Sequence, residues 1–237
     1  MAKLVDASGI DMILVGDSAA NVMAGHSTTL PITLDQMIYH GSSVVRGVER
    51  AMVIVDMPFG SYQGDPYVAL QNAVRIMKET GADGLKLEGG VRISEAIKLI
   101  INAGIPVVGH LGLTPQSVHQ FGGFGLRAKE VAEAEQLLSD AQLLAELGVC
   151  ALVLEKVPSS LAQKVSEMIA VPVIGIGAGA DVDGQVLVLQ DMLGMDESFR
   201  PKFVRRFAML GEQITAGISS YVSAVKDKSF PSQDESY

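Results

Sequence analysis

Seven short runs rich in Val, Ile and Leu alternate with segments of helical period, and the ionisable residues of those runs gather at one end of each. These observations predict an α/β fold of repeated βα units around a parallel sheet: a (β/α)8 TIM barrel that lacks its first β-strand in this chain. The expected strands are Met12 to Gly16, Met52 to Val55, Gly84 to Glu88, Pro106 to Gly109, Cys150 to Leu154, Pro172 to Ile176 and Gln185 to Leu189. Ala2 to Ser8, closed by Gly9, reads as the end of a helix feeding the Met12 strand, so the strand a complete barrel would carry ahead of that helix is missing. Helical period marks Leu34 to Val48, Pro66 to Thr80, Ser94 to Asn102, Lys129 to Leu147 and Ser159 to Ile169. Gly81, Gly104 and Gly148 close three of them, as glycine does where a helix ends in a left-handed turn. Residues 200–228 are expected as C-terminal helices, amphipathic from Lys202 to Val225, and 229–237 as a polar tail. No linker divides the chain, so residues 1–237 read as a single barrel domain. A doubly wound open sheet, which tolerates seven strands, is the alternative fold.

Composition narrows the function. A chain of 237 residues, 48% hydrophobic, can bury a sizeable core without disulfides. Its 18 Lys and Arg against 27 Asp and Glu leave a net charge of −9, which repels a phosphate backbone or an anionic leaflet and argues against nucleic acid or membrane partners. The longest apolar runs fall far short of the ~20 residues that span a bilayer. No basic stretch followed by an apolar one opens the sequence, so a cytoplasmic location is expected. The lone Cys150, between Val149 and Ala151, is expected as a buried packing residue. A mean hydropathy of +0.31, with 11 Met and no Trp, points to a homo-oligomer whose subunits cover apolar surface.

Parallel strands covered by helices are normally apolar throughout, so charges at their ends demand a reason. Asp17 follows MILVG, Asp56 follows MVIV, Glu88 closes GLKLE, His110 follows PVVG and Glu155 follows CALVL. All five lie at C-terminal strand ends, where barrels and open α/β sheets place ligands. Period two puts Lys86 and Glu88 on one side of their strand and Leu85 and Leu87 on the other. One acid at a strand end reads as a cap or a structural ion pair; five converging ionisable groups read as a site, because desolvating them is costly without a compensating metal or ligand. Asp17, Asp56 and Glu88 are hard oxygen donors without Cys or paired His, which points to Mg²⁺. A 2-oxo acid fits such an ion, its keto and carboxylate oxygens chelating it while an enolate forms beside the ketone.

The remaining signals are weaker. GIGAG at Gly175 to Gly179 reads either as a phosphate cradle or as close backbone packing, and it lacks the dinucleotide fingerprint. FGGFG at Phe121 to Gly125 reads either as a lid over the mouth or as an ordinary loop. His26, His40 and His119 have no acid at a recognisable spacing and are expected on the surface or in loops. Two classes of function stay open: a Mg²⁺ lyase or transferase acting on 2-oxo acids, and a catalytically inactive barrel that only binds.

VGDS (Val15 to Ser18), GHSTTLPIT (Gly25 to Thr33), DMPF (Asp56 to Phe59), KLEGG (Lys86 to Gly90), GHLGLTPQS (Gly109 to Ser117), LVLE (Leu152 to Glu155) and PVIGIGAG (Pro172 to Gly179) occur in an order that resembles the ketopantoate hydroxymethyltransferase family, also called 3-methyl-2-oxobutanoate hydroxymethyltransferase. The resemblance covers nearly the whole chain. It implies a (β/α)8 barrel that transfers a one-carbon unit from 5,10-methylenetetrahydrofolate to 3-methyl-2-oxobutanoate, giving 2-dehydropantoate for pantothenate synthesis, with Mg²⁺ and in a homo-oligomer, commonly a decamer. It further implies that Asp17 and Asp56 hold the metal, that Glu88 reaches it directly or through water, and that Ser18, Lys86 and His110, with Asp17 and Asp56, contact the 2-oxo acid. Glu155 is then the base that moves the C3 proton. Family members extend further at the front, with a first strand ending in a Tyr-Asp pair that this sequence lacks. The runner-up enzyme is a Mg²⁺ barrel that cleaves or rearranges C–C or P–C bonds in oxo acids, of the isocitrate lyase and phosphoenolpyruvate mutase kind.

Overall fold

The computed structural model describes residues 1–196 and 198–237, which form two compact units, Met1–Val186 and Leu187–Tyr237. The first opens with helix α1 (Ala2–Ala7) and strand β1 (Met12–Val15), followed by short α2 (Ala19–Val22) and α3 (Leu34–Val45). It continues as β2 (Met52–Asp56), α4 (Pro66–Thr80), β3 (Gly84–Glu88), α5 (Ser94–Asn102) and β4 (Val107–Gly112). Short α6 (Val118–Phe121), α7 (Val131–Leu147), β5 (Ala151–Glu155), α8 (Ser159–Met168), β6 (Val173–Ile176) and β7 (Gly184–Gln185) complete it. Helix boundaries follow local chemistry. The Thr33 hydroxyl accepts from Gln36 N–H while the Gln36 side chain accepts from Thr33 N–H, a reciprocal cap that starts α3. Asp65 caps α4 ahead of Pro66, and Gly81 ends it at φ 73°.

All seven strands are parallel and lie in chain order, β1 to β7, as successive βα units of a (β/α)8 barrel require. Side chains alternate across this sheet. Val15, Val53, Val55, Leu85, Leu87, Val107, Leu111, Leu152, Leu154 and Val173 join helix residues such as Met37, Ile76, Ile100 and Leu144 in the main core. The opposite face holds a smaller cluster, Ile54, Val108, Ala151 and Val153, with Met12, Leu14, Ile174 and Ile176 against it. Asp56, Lys86, Glu88, His110 and Glu155 share the parity of this second face, so the strand pleat alone assigns them to one side.

Three expectations need correction. The seventh strand pairs only over Gly184–Gln185, because Val188 already takes the N-cap position of a helix at Leu189–Met192, which belongs to the second unit. Cys150 is exposed rather than buried; its thiol donates to Val107 O at 3.3 Å, and partial burial raises its pKa. Carboxylates also occur at the N-terminal strand ends: Asp83 and Asp183 accept the N–H groups of Val53 and Val173, each at 2.8 Å, and so act as structural links between strands.

In the second unit, α9 (Leu189–Met192) precedes α10 (Leu210–Lys226). The amphipathic run predicted from Lys202 is helical only from Leu210. α10 buries no residue within the chain and exposes Ile214, Ile218, Tyr221 and Val225. Residues 227–237 are exposed around one 3-10 turn at Gln233–Glu235. No described helix is long and apolar enough to cross a membrane.

Candidate active site

Strand register assembles the site. Asp56 on β2 lies beside Lys86 on β3, and Glu88 on β3 lies beside His110 on β4, so unlike charges become neighbours across the sheet. Lys86 Nζ is 3.2 Å from Asp56 Oδ1, 3.1 Å from His110 Nδ1 and 3.8 Å from Glu88 Oε1. His110 Nδ1 is 3.4 Å from Glu88 Oε1, and its Nε2 is 3.4 Å from Glu155 Oε2 at the end of β5. Asp17, just past β1, joins through its N–H, which donates to Asp56 Oδ2 at 3.0 Å. Asp17, Asp56, Lys86, Glu88 and His110 are all buried; Ser18 and Glu155 are half-buried.

Backbone shape makes room for this. A Cβ on Gly16 would come within 2.9 Å of Ser18 Oγ and 3.6 Å of Asp56 Oδ2, so glycine lets the chain turn tightly into Asp17. Gly112, at φ 88°, approaches β5 so closely that a Cβ would sit 2.3 Å from Glu155 O.

Two further residues belong to the site. Gln116, in the 3-10 turn after β4, donates from Nε2 to Asp17 Oδ2 (2.8 Å) and Met57 O (2.9 Å), and from its main-chain N–H to Glu88 Oε2 (2.9 Å). Its Oε1 accepts from Tyr62 OH and Gln63 Nε2, each at 2.7 Å. Tyr62 OH in turn accepts from Glu88 N–H at 2.9 Å. Sequence reasoning missed both, because neutral polar side chains in loops break no hydrophobic pattern; Gln116 lies inside the GHLGLTPQS segment and Tyr62 three residues after DMPF.

The electrostatics show what the site wants. Burial, reinforced by the charges of Asp56 and Glu88, pushes the Asp17 carboxyl up to about 8, and burial raises Asp56 against the pull of Lys86. Burial also opposes charge on Glu88, but His110, Lys86 and the Gln116 N–H outweigh it and hold Glu88 below its ordinary value. Burial and Lys86 work against a charged His110, and Glu155 and Glu88 overcome them to raise it. Lys86 is raised despite burial by Asp56, Glu88 and Asp17. Asp56 Oδ1 and His110 Nε2 are buried and complete no hydrogen bond, although each lies within ion-pair range of a charged neighbour. Such atoms call for a ligand.

A hard divalent cation fits this donor set. Asp17 and Asp56 each have Oδ2 held by the protein, and a cation would offset both the burial and the neighbouring negative charge that raise Asp17. No three His, Cys, Asp or Glu side chains among the described residues are disposed to hold an ion between them, so Asp17, Asp56 and Glu88 do not form a set of three direct ligands here. Gly175 and Gly179 approach neighbours closely, a Cβ on the latter falling 2.4 Å from Ser159 Cβ, which is the packing alternative for GIGAG. His26 and His119 are exposed and His40 is half-buried in α3, away from these partners.

The model of the family described as ketopantoate hydroxymethyltransferase matches residues 1–233. The chain belongs to the ketopantoate hydroxymethyltransferase family. It is 62% identical over 237 residues to the 3-methyl-2-oxobutanoate hydroxymethyltransferase of Flavobacterium johnsoniae and 63% identical to that of Bacteroides fragilis, covering 100% of this chain and 87% of each relative. Among solved structures, phosphonopyruvate hydrolase aligns over 99% of this chain and 84% of its own at a TM-score of 0.60 and 11% identity. 2,3-Dimethylmalate lyase, a PEP mutase/isocitrate lyase superfamily member, aligns over 96% and 78% at a TM-score of 0.57 and 15% identity. At these identities the two structures establish that this member of the hydroxymethyltransferase family shares their barrel fold.

Proposed function

We propose that this chain transfers a hydroxymethyl group from 5,10-methylenetetrahydrofolate to 3-methyl-2-oxobutanoate, giving 2-dehydropantoate in pantothenate biosynthesis. The observation that carries the reading is the convergence of Asp17, Asp56, Lys86, Glu88, His110 and Glu155 on one sheet face in a chain of this family. Asp17 and Asp56 would hold Mg²⁺, with Glu88 reaching it through water, and the ion supplies a Lewis acid that polarises the keto oxygen. The anionic substrate carboxylate is drawn to Lys86 and to His110, whose Nε2 completes no hydrogen bond but faces Glu155 Oε2 at 3.4 Å; Ser18, next to Asp17 in the chain, would add a polar contact.

Glu155 is the base. Its Oε2, on a partly buried side chain and 3.4 Å from His110 Nε2, takes the C3 proton. The C3 electron pair forms the bond to the folate's one-carbon unit, that carbon's bonds to the two folate nitrogens break, water supplies the hydroxyl group, and the two nitrogens take up the C3 proton passed on by Glu155 and the second proton of the water. A positioned base is worth about 10²–10⁴-fold, so the rest of the acceleration must come from stabilising charge at the keto oxygen. The reading includes a cytoplasmic enzyme assembled as a homo-oligomer, a decamer by resemblance, in which the exposed Ile218 and Tyr221 of α10 would find cover.

The test is NMR of 3-methyl-2-oxobutanoate in D₂O with the purified chain. Loss of the C3 hydrogen signal without folate, dependent on Mg²⁺, and formation of 2-dehydropantoate once the folate is added are expected. Absence of both would refute the proposal.

A further inference from the structure

Gln116 ties the acid cluster together with a neutral side chain. Its amide has four hydrogen-bond positions and all four are used: Nε2 donates to Asp17 Oδ2 and Met57 O, while Oε1 accepts from Tyr62 OH and Gln63 Nε2. Turning the amide over would set Oε1 against two acceptors and Nε2 against the Gln63 amine, so chemistry fixes its orientation. The same residue's main-chain N–H holds Glu88 Oε2, and Tyr62, which fixes the Gln116 carbonyl, also receives Glu88 N–H. Two acids ninety-nine and twenty-eight residues away in sequence are thereby set by one buried glutamine.

We propose that Gln116, braced by Tyr62, is a positioning residue for the ion site. By occupying Oδ2 of Asp17 its side chain leaves the opposite oxygen of that carboxylate for a cation, while its main-chain N–H holds Glu88 Oε2 and Glu88 Oε1 faces His110 Nδ1 and Lys86 Nζ. It touches neither substrate nor ion. The inference rests on the divalent-cation reading above and deepens it, since outer partners of this kind typically contribute 10–100-fold in metal affinity.

The experiment titrates Mn²⁺ into the purified chain without substrate and follows free and bound ion by electron paramagnetic resonance. Gln116→Met keeps the side-chain length and removes the amide. It is expected to raise the Mn²⁺ dissociation constant by about 10–100-fold and to alter the spectrum of the bound ion. Tyr62→Phe removes only the brace and is expected to weaken binding in the same direction by a smaller factor. Circular dichroism identifies folded variants, and if Gln116→Met does not fold, Tyr62→Phe decides. Folded variants that bind Mn²⁺ within twofold of the parent, with an unchanged spectrum, would overturn the role of Gln116 while leaving the ion site standing. A parent chain that binds no Mn²⁺ would overturn both.

Discussion

Raising the pH through the range in which Asp17 ionises perturbs the ion site without changing a residue. Asp17 retains its proton up to about 8, first because it is buried and then because Asp56 and Glu88 stand beside it. A divalent ion needs the ionised carboxylate. With a midpoint of about 8, roughly 1% of Asp17 is ionised at pH 6 and roughly half at pH 8, so the apparent Mg²⁺ affinity should tighten by about 50-fold between them. Close to one proton should leave per ion bound at pH 6. Calorimetry in two buffers of different ionisation enthalpy measures both quantities. The same group sets the stability of the metal-free protein. Its folded value of about 8 lies above its ordinary 3.8, so its contribution is fully present below 3.8 and is lost as pH rises towards 8. The gap in Tm between Mg²⁺-loaded and metal-free protein should therefore widen with pH. Affinity that is flat across this range, with no proton released, would refute the assignment of Asp17 to the ion.

Three substitutions extend the test. Asp56→Asn should weaken Mg²⁺ and 3-methyl-2-oxobutanoate binding together, by about 10-fold or more, measured calorimetrically; unchanged affinity for both removes Asp56 from the site. Glu155→Gln should retain substrate binding and slow C3 hydrogen exchange in D₂O by about 10²–10⁴-fold, and exchange at the parent rate means another base operates. Gly112→Ala, at a positive φ and with Glu155 O in the way, should cost about 3 kcal/mol in urea unfolding, and a cost below about 0.5 kcal/mol would show that β4 and β5 can move apart.

Much of the site was legible because charge inside an apolar parallel strand is conspicuous. Asp56, Lys86, Glu88, His110 and Glu155 interrupt runs that otherwise pack against helices, and period two already separated Lys86 and Glu88 from Leu85 and Leu87, which lie in the main core. Helices α4 and α5 matched residue for residue because Asp65, Pro66 and Gly81 mark one and its sharp apolar period the other. What stayed hidden was local in sequence and decided by distant partners. QVLVL reads as a strand, yet only Gln185 of it pairs, since regular pairing needs a neighbour as well as propensity. Asp83 and Asp183 resemble site acids in composition but are exposed at the N-terminal strand ends, where they accept backbone N–H groups of neighbouring strands. Gln116 had no signal beyond its motif, and Tyr62 lay outside every motif.

The side-by-side pairing of Asp56 with Lys86 and of Glu88 with His110 also bears on how the chain finds its fold. A slip of one residue between β2 and β3, or β3 and β4, would rotate those charges into the leucine-rich layer and strand them without counterparts, a penalty far above that of a mismatched aliphatic contact. The charge pairs of the candidate site thus double as an alignment key during folding. Inserting or deleting a single residue inside these three strands would therefore disrupt the sheet and the candidate site in one event.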